Sequence, residues 1–135
     1  MATLTKVNCF TENVAEGLHN LGTAQLKVAL TNSVPLVTNT VLANITEISY
    51  TNLSSRNITT TSSAQTSGVY KLVLADLVLT ASGAVGPFQY VVIYNDTASG
   101  DPLIGWYDYG SAVTLASTDA FTIDFDASAG FLTLT

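Results

Sequence analysis

The stretch FQYVVIYND, residues 88–96, is apolar on both alternating faces: Phe88, Tyr90, Val92 and Tyr94 fall on one side, Val91 and Ile93 on the other. A strand of that kind has to be covered twice, so it belongs inside a sandwich. Turn-rich residues precede it (Gly86-Pro87) and follow it (TASGDP), and LIGWYDYG, residues 103–110, supplies a second strand. Residues 86–110 therefore read as a core hairpin. They hold the only tryptophan and four of the six tyrosines. The rings of Tyr90, Tyr94, Trp106, Tyr107 and Tyr109 also suit a glycan platform or a partner interface, but the two-sided apolar pattern favours packing.

The rest of the chain arranges itself around this hairpin. Residues 2–10 alternate as a first strand. From residue 11 to 22 the period becomes helical: Val14, Leu18 and Leu21 recur, Thr11 is placed to cap, and Gly22 is placed to end the helix. Gly17 inside that span costs about 1 kcal/mol relative to Ala. Residues 24–30 (AQLKVAL) and 42–50 alternate as strands, separated by TNSVPLVTNT, a loop or loosely paired edge around Pro35. Residues 51–67 are almost entirely Thr, Ser, Asn and Gln, an exposed β-arm or a mobile loop with Leu53 and Ile58 as isolated apolar anchors. Further strands are expected at 69–74, 77–81, 112–116, 121–126 and 131–134. Short strands punctuated by turns at roughly ten-residue spacing predict an all-β fold, a single-domain antiparallel β-sandwich, jelly-roll-like, with one short N-terminal helix.

A chain of 135 residues buries enough surface to fold without disulfides, and Cys9 has no partner cysteine. The unusual quantity is charge. Asp, Glu, Lys and Arg make up 10% of residues, against about 25% in an average soluble domain. Hydroxyl and amide side chains replace them and leave little repulsion between copies, which suits a surface partly covered by partners. A net charge of −6, with Lys6, Lys27, Arg56 and Lys71 scattered as the only cations, argues against nucleic-acid binding. No window is long and apolar enough for a membrane helix, and MATLTKVNCF lacks the pattern of a signal peptide.

No catalytic constellation is visible, and neither a cofactor nor a metal site is expected. Six of the seven aspartates follow Asn95. Asp124 and Asp126 lie on one face of FTIDFD, opposite Ile123 and Phe125. A calcium site or a pair of catalytic acids is conceivable there, but no dense Asp loop supports it. Asp96 and Asp101 read as turn residues whose side chains accept local backbone amides. His19, the only histidine, has no triad or metal spacing around it, and a packing role fits it better.

The ordered series HNLG (19–22), LKVALTNSVP (26–35), NITEIS (44–49), YKLVLAD (70–76), GPFQYVVIYND (86–96), DPLIGWYDYG (101–110) and FTIDFDA (121–127) resembles small virion structural proteins encoded among the capsid genes of tailed bacteriophages. The segment 50–67 departs from that pattern in lacking Gly-rich character. The resemblance implies a non-enzymatic β-domain that decorates or cements the outer capsid surface. It also implies the major capsid protein as partner, a homo-oligomeric state, synthesis in the host cytoplasm and residence on the virion. The alternative is a tail or fibre module that binds host-surface glycans. Interface contacts are expected at Tyr50, Arg56 and Ile58 in the polar arm, with Leu4 and Phe10 marking the ends of a second contact.

Overall fold

The core hairpin is the spine of the molecule. In the computed structural model, which describes residues 3–135, strands Val85–Asn95 and Leu103–Leu115 pair antiparallel with Val91 opposite Tyr107 and Ile93 opposite Gly105. The second strand runs on through residues 112–115, so the separate strand expected there is the far end of the same one. Met1 and Ala2, the latter the start of the expected first strand, lie outside the described residues.

In chain order the elements are β1 (Leu4–Lys6), α1 (Cys9–Ala15), β2 (Leu26–Thr31), β3 (Thr60–Thr66), β4 (Val69–Leu74), β5 (Leu77–Thr80), β6 (Val85–Asn95), β7 (Leu103–Leu115), β8 (Ala120–Ile123) and β9 (Leu132–Leu134). They form a four-stranded sheet β1-β7-β6-β2, a three-stranded sheet β3-β4-β9 and a β5-β8 ladder, with every pairing antiparallel. The fold is all-β and sandwich-like, with one short α-helix. Every residue from Val91 to Asn95 is buried, as two-sided covering requires. Tyr107 on β7 packs against Phe125 and Phe131, while Phe88 on β6 and Tyr109 on β7 both meet Phe121 edge-on. Aromatic pairs at such angles add about 0.5–1.5 kcal/mol each beyond the area they bury. Burial raises the phenol pKa of Tyr107 and pushes that of Tyr109 up to about 12.

Three local expectations are corrected. The first strand stops at Lys6, because Cys9 and Phe10 already belong to the helix. That helix ends at Ala15 and not near Gly22, because Gly17 adopts a φ of +81°, a left-handed conformation available to glycine. The ending leaves Leu18 exposed and turns His19 and Leu21 inward. Residues 42–50 form no strand: a 3-10 turn, Leu42–Asn44, is followed by irregular extended chain. Of the polar arm, residues 60–66 form β3 on the edge of the second sheet, and residues 51–59 are irregular, tied by isolated bridges from Leu53 to Ala81 and from Asn57 to Lys27.

Candidate functional site

The sequence nominates Leu4, Phe10, Tyr50, Arg56 and Ile58 as partner contacts, and the structure does not bring them together on one open surface. Phe10 and Ile58 are core side chains, 1% and 4% exposed. Phe10 lies in the first turn of α1, with its ring 5.2 Å from the His19 ring. Ile58 donates its N–H to the Leu26 carbonyl at 2.9 Å, which lays its segment along β2 and turns the side chain inward. Leu4 is half-buried in β1, beside a groove of about 240 Å³ shared with Tyr107, Phe125 and Phe131.

Tyr50 and Arg56 form an internal clamp. The Tyr50 hydroxyl accepts the Leu30 N–H at 2.9 Å and donates to Glu47 Oε1 at 2.7 Å. The guanidinium carbon of Arg56 stands 3.7 Å over the Tyr50 ring, and Nη1 donates to the Val28 carbonyl at 2.7 Å. Glu47 lies 3.9 Å from the same Nη1. Burial raises the Tyr50 pKa well above the phenol range, assisted by the Glu47 contact. Backbone bonds from Ile48 to Leu30 and from Val28 to Arg56, both 3.0 Å, complete the attachment. Residues 48–58 thus cover the edge of β2 that would otherwise offer unpaired backbone groups to another chain.

The surface suited to a partner is the loop between β2 and the 3-10 turn. Val34, Leu36 and Val37 are 63%, 57% and 41% exposed, while Pro35 between them is buried. Three large apolar side chains within four residues are costly to leave in water unless something covers them, at about 25 cal/mol per Å² of apolar surface. The loop is held on both flanks. Val37 accepts the Asn8 N–H at 2.9 Å, Leu36 and Asn39 exchange two bonds at 2.8 and 2.9 Å, and Thr40 accepts the Leu103 N–H at 3.0 Å. Further along, Asn44 Oδ1 receives the N–H groups of Thr40 and Val41. A segment fixed in this way loses little conformational entropy on docking. The sequence marks it only as a proline-containing loop, and VPLV amid Asn, Ser and Thr is the one signal that could have identified it.

The Asp124 and Asp126 carboxylates are occupied with local structure. Asp124 and the partly buried Asp126 do turn away from buried Ile123 and Phe125, but β8 has ended by then. Asp124 accepts the Asp126 N–H at 2.8 Å, and Asp126 accepts from Ala129 N–H and the Ser128 hydroxyl, which holds its pKa below the usual carboxylate value. Asn95, and not Asp96, supplies the turn acceptor of the β6-β7 connection. Among the described residues no three His, Cys, Asp or Glu side chains converge as a metal site would need, and no helix is long and apolar enough to cross a membrane. Of the rings suited to a glycan platform, Tyr94, Trp106 and Tyr107 are buried.

Comparison with protein-family models, with curated proteins and with solved structures gave no match.

Proposed function

We propose that this chain is a non-enzymatic virion structural protein that binds the outer surface of a tailed-phage capsid and decorates or cements it. The observation that carries the reading is the pinned apolar loop with Val34, Leu36 and Val37 in water. A rigid apolar projection on a charge-poor domain is a docking element: it gains from being covered, costs little to order and meets little charge repulsion. The major capsid protein is the proposed acceptor, and further copies of the chain occupy neighbouring positions on the lattice. The resemblance of GPFQYVVIYND and DPLIGWYDYG to capsid-gene products supports the same reading.

Sedimentation of the purified protein with empty capsids of the phage that encodes it tests the proposal. Wild-type protein is expected in the pellet at saturable stoichiometry, and the Val34→Asp, Leu36→Asp double variant in the supernatant. Wild-type protein that stays in the supernatant refutes capsid binding. A double variant that pellets like wild type refutes the assignment of the loop.

A further inference from the structure

His19 lies in the connection between α1 and β2, 6% exposed, and its Nδ1 is 3.1 Å from Asn95 Nδ2 at the end of β6. The polarity of that contact is fixed from the asparagine side. Asn95 Oδ1 accepts the N–H groups of Thr97 and Ala98, each at 3.0 Å, so the amide nitrogen faces the imidazole and donates to it. Nδ1 is then the acceptor and Nε2 carries the proton. That Nε2–H is buried and has no hydrogen-bond partner among the described residues. Burial lowers the pKa of the ring from its ordinary value.

The imidazolium does not fit this network. A proton on Nδ1 points an N–H at the Asn95 NH2 group. Turning the amide over sets the same NH2 against the two backbone N–H groups of Thr97 and Ala98, so neither orientation serves. The ring meets Phe10 from α1 and Asn95 from β6. The adjoining groove adds Val14 and Gly17 around the end of α1, Asn20, Leu21 and Gly22 from the connection, Ser63 from β3, Tyr70 from β4 and Leu134 from β9. None of these carries a charge, and the one titratable group is the Tyr70 hydroxyl, hydrogen-bonded to Ser63 at 2.7 Å.

We propose that His19 is an acid-operated latch: neutral, it ties the α1-β2 connection to the β6-β7 turn, and protonated, it leaves its site through the adjoining groove and frees both segments. The groove, about 500 Å³, is lined by His19 itself and gives the ring a way out. The release extends into the turn because Gln25 N–H donates to Thr97 Oγ1 at 2.8 Å and Asp96 N–H to the Gln25 carbonyl at 2.9 Å. The latched form holds the ring neutral, while a freed or unfolded ring takes its proton near pH ~6.5, so stability falls as pH drops below that value and on toward the lower folded pKa.

The test is ¹⁵N-histidine NMR together with amide hydrogen exchange on the full chain, at about pH 7 and about pH 4.5. The Nε2–H tautomer is expected at neutral pH. On acidification, amides of residues 17–24 and of Thr97 and Ala98 should lose about tenfold or more of their protection after correction for the intrinsic chemical rate. Two variants keep every carboxylate of the wild type and lack the conflict. In His19→Gln the side chain cannot be protonated, and in Asn95→Asp a carboxylate receives the imidazolium; both should keep their protection at the acid pH. An Nδ1–H tautomer at neutral pH, no acid loss in the wild type, or an equal loss in wild type and either variant overturns the latch.

Discussion

Replacing Arg56 by alanine should unfasten the polar arm from β2, and the geometry sets the size of the effect. The 2.7 Å bond to the Val28 carbonyl is charge-assisted and partly buried, worth about 1.5–3 kcal/mol. The stack on Tyr50 at 3.7 Å adds about 0.5–2 kcal/mol. Glu47, at 3.9 Å and partly in solvent, contributes at most about 1 kcal/mol after screening. These contributions share one side chain and do not add fully, so a loss of about 2–4 kcal/mol is expected. For a chain of this length that lowers the melting temperature by roughly 8–15 °C. Arg56→Lys keeps the charge but not the planar face, and it should fall between the two. Calorimetric melts of the three proteins give the answer. An Arg56→Ala variant melting within about 1 °C of wild type would show that the clamp does not hold the arm.

Other consequences follow from packing and titration. Gly105→Ala places a Cβ 2.5 Å from the Thr5 carbonyl oxygen and 3.1 Å from Lys6 Cα, so β1 must lift from β7; a loss of about 1–3 kcal/mol and faster amide exchange in residues 4–6 are expected, and unchanged exchange there would contradict it. Phe125→Ala removes the ring that meets both Tyr107 and Phe131 and should cost about 3–5 kcal/mol in urea unfolding; a cost below about 1 kcal/mol would place that ring outside the core. Tyr50, Tyr94, Tyr107 and Tyr109 all have raised pKa values, so the folded chain keeps phenols that the unfolded chain ionises near pH ~10. Stability should therefore fall as pH rises past that point, and a spectrophotometric titration in which these four tyrosines ionise near pH ~10 in the intact fold would refute the burial argument.

What the sequence reveals and what it conceals divide along physical lines. The hairpin was legible because covering a strand on both faces leaves a pattern in its own residues, and β4 was read at its observed bounds for the related reason that alternation and burial agree there. Asp124 and Asp126 were expected on the solvated side of a strand, but β8 ends at Ile123 and the two carboxylates accept bonds within the turn that follows. The helix end was not legible, because Val14, Leu18 and Leu21 keep helical spacing through a glycine whose left-handed conformation is set by the turn that buries His19. Residues 42–50 alternate but form no ladder: a 3-10 turn takes up Leu42–Asn44, and the chain beyond it meets β2 through the Ile48 N–H on the Leu30 carbonyl at 3.0 Å. Ile58 looked like an isolated anchor in a polar arm, yet its backbone bond to Leu26 makes it part of the core. The exposed loop stayed hidden because exposure of an apolar residue is a tertiary property, and VPLV alone does not reveal which of its side chains turn inward.

Electron cryo-microscopy of capsids with and without bound protein tests the central proposal most directly. Added density is expected on the outer capsid surface, of the size of this sandwich, touching the shell through Val34, Leu36 and Val37. Density confined to the tail, or shell density in which that loop faces solvent, would contradict it.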